Sequence, residues 1–366
     1  MIDRHGWILL GLAAAVAILV EPPRCEAAAR GLCAECHTMH NSQQGSPVAF
    51  VLDSSGQKVM QGAAFKKLLK TNCIGCHTNA GAETIIPLGE NQVPIVFNLT
   101  QPTYPPSGST SSALAGGNFY WVIQNNQHGH NVHGIAGQDP RFSWAPGGVQ
   151  RAPECNNCHG TLATPESGCN GCHAAYHHAD GKGEVAGPAE GWFRFLGSVM
   201  QKDDTTTPPL TGVSGIEDPS WEQNPLATRH NAYKGKPGPY TSYLESGSIT
   251  QKCIGCHGRF HSETIANATW IRHPADAVIP DSGEFTGLIG YDPMVPVARQ
   301  NITSLDANFS TVNRGSDVVA CISCHRAHGS PYPSSLRWAY RAWPGIDPQT
   351  GQPAMNGCAV CHTTKD

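Results

Sequence analysis

Apolar residues form one long run near the start of this sequence and only short groups after it. The run extends from Trp7 to Val20, follows the basic residues Arg4 and His5, and leads into small residues at 27–29. A basic start, an apolar stretch of 14 residues and an A-x-A-like end predict a signal peptide over residues 1–29. The run is short for a transmembrane helix, so an uncleaved anchor is the less favoured alternative, and no later segment is apolar enough to span a bilayer.

The remaining pattern of apolar and polar positions predicts few regular elements. The 366 residues include 40 glycines and 28 prolines, which interrupt both helices and strands. We expect a short helix over residues 58–70 and a loop from about 79 to 118, while residues 118–123 fit either a strand or a helical turn. The predicted fold class is therefore mostly irregular coil with short helices, without long helices or a large sheet.

One short pattern, C-x-x-C-H, occurs seven times along the chain, and two of the copies are only 14 residues apart. The cysteine pairs are Cys33 and Cys36, Cys73 and Cys76, Cys155 and Cys158, Cys169 and Cys172, Cys253 and Cys256, Cys321 and Cys324, and Cys358 and Cys361. The histidines that directly follow them are His37, His77, His159, His173, His257, His325 and His362.

C-x-x-C-H is the attachment pattern of a c-type haem. Residues i, i+3 and i+4 share one face of a helical turn, so two thiols can reach the two vinyl groups of one porphyrin while the histidine binds its iron. Zinc sites and redox dithiols share the C-x-x-C part, but neither requires the adjacent histidine. The seven copies use 14 of the 15 cysteines, and we interpret the chain as binding seven covalent haem c groups. The remaining cysteine, Cys25, lies within the predicted signal peptide.

Composition refines this interpretation. Residues 30–366 supply roughly 48 residues per haem, too few to enclose each haem in its own helical pocket, so neighbouring haems should pack together in a single domain. Only 14% of the residues are charged, against about 25% in ordinary domains, and the net charge is −4. This small charge argues against nucleic acid as a partner and against a basic membrane-binding face.

Histidines outside the motifs are the candidates for the sixth position on each iron. The predicted distal ligands are His40, His130, His133, His177, His230, His261, His273 and His328. His128 and His178 are the expected spares. Seven irons need seven partners, so the eight candidates include at least one that binds no iron. Methionine is a minor option because only six are present, and iron bound by two histidines passes electrons but offers no open site to a substrate.

The spacing of some candidates limits the haem that they can reach. His40 and His328 each follow a motif histidine by three residues. Such a ring cannot fold back over its own haem, so we expect each to bind an adjacent haem. His130 and His133 share one loop at helical spacing and could serve two haems.

Several segments around the motifs resemble those of the outer-surface multihaem cytochromes that polymerise into conductive filaments in metal-reducing bacteria, the OmcS type. The matching segments are Cys36–Ser42, the second motif with Ala80-Gly81, Gly129-His130-Asn131, His257–His261 with Arg272–Ala275, Cys324–His328, and Cys358–Asp366. Their order agrees along the whole mature chain, whereas the segments between them are not alike. The filament type has six haems, and this chain has a seventh motif in the 155–173 pair, so the stacking path is expected to differ there.

The resemblance implies parallel-stacked and T-shaped haem pairs that run the length of each subunit. It also implies that the histidine in the position of His40 binds a haem of the neighbouring subunit. A repeated head-to-tail contact of this kind produces an open filament unless its rotation closes a ring. The favoured function is therefore extracellular electron transfer by a homopolymer of seven-haem subunits, without enzymatic activity.

Two other functions are weighed against this one. A monomeric periplasmic or cell-surface electron carrier would use His40 within its own chain. A multihaem reductase acting on nitrite, hydroxylamine or a sulfur oxyanion normally needs a five-coordinate haem, often marked by lysine in place of the motif histidine, and all seven motifs keep histidine. We expect an exported protein at the cell surface or outside the cell, with other redox proteins or extracellular acceptors as partners.

Overall fold

The computed structural model describes residues 37–52, 57–64, 73–88, 91–104, 114–132, 135–137, 158, 215–218, 220–237, 248–257, 273, 275–302 and 310–364. Within these ranges most residues lie in turns, bends and irregular backbone, and every helix and strand is short. The prediction of a mostly irregular fold with short helices is therefore confirmed. No helix in these ranges is long and apolar enough to cross a membrane.

Most of the α-helices in the described residues carry a haem-attachment motif. The α-helices are α1 (Cys73–Cys76), α2 (Tyr120–Gln124), α3 (Ile249–His257), α4 (Cys321–Cys324) and α5 (Gly357–Cys361). Three 3-10 helices lie at Asn126–His128, Gly283–Phe285 and Pro333–Ser335. Only α2 among these five α-helices lacks a motif, so the helical structure is concentrated where haem attachment requires it.

Capping side chains explain why α3 and α5 begin where they do. Ser248 Oγ accepts a hydrogen bond from the Gln251 N–H at 3.1 Å, and Gln251 Oε1 accepts one from the Ser248 N–H at 3.4 Å. This reciprocal arrangement is a capping box. At the start of α5, Asn356 Oδ1 accepts from the Cys358 N–H at 3.1 Å, so each cap lies directly before a motif.

The strands pair into five separate two-stranded sheets within the described part of the chain. The antiparallel pairs are β1 (Phe50–Leu52) with β2 (Lys58–Met60), β4 (Ile85–Leu88) with β5 (Asn91–Pro94), β7 (Gly215–Ile216) with β8 (Ala232–Tyr233), and β9 (Ala277–Val278) with β10 (Val318–Val319). The parallel pair joins β3 (Thr78–Asn79) to β6 (Phe97–Asn98). Sheets this small are marginal on their own, so the fold depends on packing between its loops.

Two predictions about local structure are wrong. Residues 58–60 form β2 and not the start of a helix over 58–70, because they pair with β1; residues 65–72 lie outside the described ranges. The predicted loop over 79–118 contains the hairpin of β4 and β5. For residues 118–123, the structure decides between the two alternatives in favour of a helix, α2.

Buried apolar side chains form several small clusters. One of them gathers Ile279, Tyr291, Trp338 and the motif cysteine Cys361, with Cys324 packed against it. Another surrounds α2 and β6. Two different motifs, the sixth and the seventh, therefore contribute cysteines to the first cluster.

The loop after α4 lies directly against the segment that contains α2. A Cβ atom added to Gly117, whose φ is +85°, would lie 1.9 Å from the Gly329 carbonyl oxygen. That oxygen accepts a hydrogen bond from the Asn118 N–H at 3.0 Å, and the His128 carbonyl accepts one from the Ser330 N–H at 2.9 Å. Only glycine permits this close approach, which brings the histidine-rich segment 128–130 to the loop that carries His328.

Candidate haem-binding sites

The described motifs adopt the helical turn that their spacing predicts. In α4 the His325 N–H donates to the Cys321 carbonyl at 3.0 Å, and in α5 the His362 N–H donates to the Cys358 carbonyl at 2.9 Å. The second and fifth cysteine pairs likewise lie in α1 and α3. These turns place both thiols and the histidine of a motif within one turn, as attachment to a single porphyrin requires.

The imidazole rings of two motif histidines are each held through Nδ1. This atom lies 2.7 Å from the Pro94 carbonyl oxygen in His77 and 2.7 Å from the Ser334 carbonyl oxygen in His325. A bond from the Nδ1–H fixes the tautomer and leaves Nε2 for a metal, the usual arrangement of a ligating histidine. In His362, Nδ1 lies 3.0 Å from Oε1 of Glu284, but within the described structure the two atoms form no hydrogen bond.

Two predicted distal histidines lie beside motif histidines of other segments. The rings of His130 and His257 have centres 5.9 Å apart and planes inclined at 53°. Those of His273 and His362 have centres 6.2 Å apart and planes at 89°. The ring of His130 is further held by a bond between its Nδ1 and the Ala327 carbonyl, so the structure brings two candidates from outside the motifs to two motif histidines.

His230 lies in the long stretch without a motif, and its ring is fixed on two sides. It is 2% exposed, its Nδ1 lies 2.7 Å from the Asn231 carbonyl oxygen, and it stacks on Tyr291 with ring centres 3.6 Å apart. Glu222 Oε1 accepts from the Asn231 N–H at 2.6 Å. Burial raises the pKa of Glu222, although the charge of Arg337 and the hydrogen bond from Asn231 each act to lower it. These contacts orient the His230 ring as a ligand would need to be oriented.

His328 and His40 occupy contrasting environments. The ring of His328 lies 4.9 Å from that of Phe119, and burial lowers its pKa to about 4, so its imidazole is neutral at neutral pH, the form that binds metals. Burial likewise lowers the pKa of His77. His40 is exposed and has a φ of +53°, in a tight turn at the beginning of the described chain.

Consecutive motifs of the C-terminal part lie next to each other. The Cys321 N–H donates a hydrogen bond to Thr250 Oγ1 at 3.3 Å. The pKa of the Cys321 thiol is raised, and a hydrogen bond with the Cys253 thiol is the largest cause. Burial and then the thiols of Cys358 and Cys361 raise the pKa of Cys324 to about 12. The fifth, sixth and seventh motifs are therefore linked through α4.

The observed cysteine chemistry fits thioether attachment. Seven motif cysteines among the described residues form no disulfide: Cys76, Cys158, Cys253, Cys321, Cys324, Cys358 and Cys361. Nor do the described residues contain a group of three or more histidine, cysteine or acidic side chains arranged to hold a metal ion by themselves. In addition, the indole N–H of Trp338, buried beside α5, has no hydrogen-bond partner within the described structure. A buried donor of this kind suits a cofactor that brings its own acceptor atoms.

Some predicted site residues lie outside the described ranges or have no described side chain. Among the cysteines these are Cys33, Cys36, Cys73, Cys155, Cys169, Cys172 and Cys256. Among the histidines they are His159, His173, His133, His177 and His261. The signal peptide prediction for residues 1–29 also lies outside them.

Residues that the sequence reading missed are mostly buried and charged. Glu284 contacts a motif histidine, and Arg326 and Arg337 rank among the largest fully buried side chains. Charged side chains are normally exposed, and no local signal distinguishes these three from the other acidic and basic residues. The Ser248–Gln251 capping box, by contrast, was visible in the sequence directly before the fifth motif.

The repeated C-x-x-C-H motif is typical of multihaem c-type cytochromes, and the comparisons with known proteins point to the same class. Residues 312–366 match the family described as doubled CXXCH motif. The chain is 26% identical to the C-type cytochrome OmcS of Geobacter sulfurreducens over 392 aligned positions. The alignment covers 89% of this chain and 83% of that protein. The resemblance to the OmcS-type cytochromes is therefore confirmed.

Solved structures agree with this relationship at the level of the fold. The cryo-EM structure of OmcS nanowires from Geobacter sulfurreducens has a TM-score of 0.54 and 19% sequence identity, covering 93% of this chain and all of that one. A structure of the Outer Membrane Cytochrome S filament from the same organism has a TM-score of 0.46 at the same coverage and identity. The irregular fold of this chain is therefore similar to that of the OmcS subunit in the nanowire structure.

Proposed function

We propose that this chain is an exported seven-haem cytochrome that transfers electrons along haems held close together. The observation that carries the proposal is the contact between consecutive motifs: the Cys321 N–H donates to Thr250 Oγ1, three residues before Cys253, and Cys324 packs against the cluster that contains Cys361. Attachment points this close bring neighbouring haems within reach of each other. The seven cysteine pairs hold the haems, the seven motif histidines are their proximal ligands, and the chain insulates them; bound haem supplies the one-electron chemistry.

The ring pairs described above supply two axial ligand pairs for this proposal. The ring centres of His130 and His257 are 5.9 Å apart and those of His273 and His362 are 6.2 Å apart, so each pair would hold one haem iron through its two imidazoles. We assign His130 to the fifth haem and His273 to the seventh. We keep His40, His230 and His328 as distal ligands without assigning them to particular haems. The candidates outside the described ranges are treated in the same way.

This assignment predicts a spectroscopic change in single variants. Replacing His130 or His273 by alanine should convert one low-spin haem per chain to a high-spin haem, because the sixth ligand is lost while the thioether bonds remain. Visible absorption and electron paramagnetic resonance spectra of the oxidised protein measure this conversion. The matched control is His128→Ala, which removes a neighbouring histidine that we leave without iron; high-spin signals of equal size in all three variants would contradict the pairing.

Assembly into a filament is the second part of the proposal. The relatives whose structures share this fold are described as filaments and nanowires. In this chain the exposed position of His40 in the first described turn places its ring where a second subunit can reach it. We propose a homopolymer in which His40 binds a haem of the adjacent subunit, located outside the cell or at its surface, with redox proteins or extracellular acceptors as its other partners.

The filament is tested by replacing His40 with asparagine. Asparagine tolerates the left-handed backbone of this residue, whose φ is +53°, so the substitution removes the ligand without straining the turn. Cryo-electron microscopy should show filaments in the wild-type protein and in His128→Ala, and predominantly single subunits in His40→Asn. Filaments of normal length in His40→Asn would overturn the intersubunit ligand, and single subunits in all samples would favour the monomeric electron carrier.

The proposed protein is a carrier and not an enzyme. Ten histidines outside the motifs and the signal peptide supply enough sixth ligands for seven irons, and saturated iron leaves no position for a substrate. A substantial high-spin fraction in the resting wild-type spectrum would instead favour the reductase alternative.

A further inference from the structure

One motif histidine differs from the other described ones in the group that holds its ring. His77 and His325 each contact a neutral backbone carbonyl oxygen through Nδ1. Nδ1 of His362 lies 3.0 Å from a carboxylate oxygen of Glu284, and the two side chains are only 25% and 26% exposed. A carboxylate in this position carries a full negative charge next to a ring that faces iron on its other side.

The backbone of Glu284 is fixed beside the seventh motif. Glu284 lies in the 3-10 helix Gly283–Phe285, and its carbonyl oxygen accepts from both the N–H and the hydroxyl of Thr363, at 2.8 and 2.7 Å. The Gly287 N–H donates to that hydroxyl at 3.0 Å. The ring of Phe285 lies 5.0 Å from that of His362. Four contacts therefore fix this short segment to the residues that end the seventh motif, which keeps the Glu284 side chain within reach of the His362 ring.

We propose that Glu284 is a positioning residue that lowers the reduction potential of the haem at Cys358–His362 below the potentials of the haems at His77 and His325. This inference rests on the proposed function, since it requires His362 to bind iron. A carboxylate oxygen 3.0 Å from Nδ1 of His362 places a negative charge beside the ring, and a negative charge near a haem iron favours Fe(III) over Fe(II). The carbonyl oxygens beside His77 and His325 carry no net charge.

The consequence for electron transfer is an uneven sequence of potentials. The seventh haem is reduced less often than its neighbours, and transfer of an electron onto it is energetically uphill. Because the fifth, sixth and seventh motifs are linked through α4, this uphill transfer lies at one end of a closely connected group.

The test separates the presence of the charge from its distance to the ring. Glu284→Gln removes the charge at nearly constant side-chain size, Glu284→Asp keeps the charge but withdraws it from Nδ1, and Asp292→Asn removes a different charge near the same motif without touching His362. Asp292 is the matched control because its carboxylate, after burial and Cys358, helps to raise the pKa of Cys361 to about 11. Its Oδ1 accepts from the Met294 N–H at 2.8 Å, a bond that asparagine preserves.

Spectroelectrochemical titration of the purified, fully loaded protein measures the outcome. In Glu284→Gln the titration should change in one component with the amplitude of a single haem. Its ratio of Fe(III) to Fe(II) should decrease about tenfold at a fixed applied potential, which corresponds to a rise in reduction potential of about 59 mV for a one-electron couple. Glu284→Asp should move the same component upward by a smaller amount, and Asp292→Asn should move it least. A Glu284→Gln curve that superimposes on the wild-type curve, or an equal shift in Asp292→Asn, overturns the proposal.

Two further readings keep this test independent of the proposed function. The haem content and low-spin spectrum of the wild-type protein show whether the seventh haem is bound by two histidines, before any variant is compared. If Glu284→Gln loses that haem, Glu284→Asp decides: an upward shift supports the proposal, and an unchanged component overturns it.

Discussion

Replacing both Cys321 and Cys324 by serine should remove one haem and destabilise the whole C-terminal part of the chain. Cys321 lies beside Thr250 and Cys253, and Cys324 packs against the cluster that contains Trp338 and Cys361. Loss of a haem there leaves a cavity between three motifs. Large deletions from a core cost several kcal/mol, so at about 2–4 °C per kcal/mol the unfolding temperature should fall by roughly 10 °C.

Intact mass and thermal unfolding followed by circular dichroism measure this result. The mass should decrease by one haem, and the unfolding transition should move to lower temperature. Cys25→Ser is the matched control, because Cys25 lies in the predicted signal peptide and should leave the mature protein unchanged. A double variant that lacks one haem and unfolds at the wild-type temperature would show that haems do not form the core.

Replacing Arg326 by methionine should have the second large effect. Its guanidinium donates to the Tyr104 hydroxyl at 2.8 Å and to the Leu114 and Ala115 carbonyls at 2.9 and 3.0 Å. The side chain is 2% exposed, so water does not replace these bonds in the variant. Unsatisfied buried acceptors cost about 1–3 kcal/mol each, and we expect a loss of about 3 kcal/mol or more.

The loss should be visible as an unfolding temperature lowered by roughly 6–12 °C, on the same scale of 2–4 °C per kcal/mol. Arg341→Met provides the control, since Arg341 is exposed and its replacement should change the transition by little. Because Arg326 lies between His325 and His328, the low-spin spectrum of the variant also reports whether its bonds keep those rings in place. Equal stability of both arginine variants would contradict the structural role.

The helical turns of the described motifs could be predicted from the sequence, whereas the strands around them could not. C-x-x-C-H is a local pattern, and the helical turn it needs forms within the same five residues, as α4 and α5 show. Strand β2 was missed because its partner, β1, and the pairing between them are not encoded in residues 58–60 alone. The hairpin of β4 and β5 was missed because Pro87 and Pro94, which usually interrupt strands, lie within it.

The histidine candidates could be listed from the sequence, but the motif that each one approaches could not. His130 and His273 are predicted as distal ligands from the sequence, but the motif histidines that their rings approach, His257 and His362, could not be named from spacing. Glu284 was not foreseen, since an acidic residue far from the seventh motif in sequence carries no mark of the fold that brings it there. Pairings of this kind depend on the course of the loops between the motifs.

The contact between the segment 128–130 and the loop after α4 has a consequence for the order in which the molecule is completed. The His130 ring bonds to Ala327, 197 residues later, and Tyr104 receives a bond from Arg326, 222 residues later. In a chain exported N-terminus first, as proposed above, these contacts would close only after most of its length has been translocated. The packing around Tyr104 and His130 would therefore be completed late, once residues 326 and 327 have followed them.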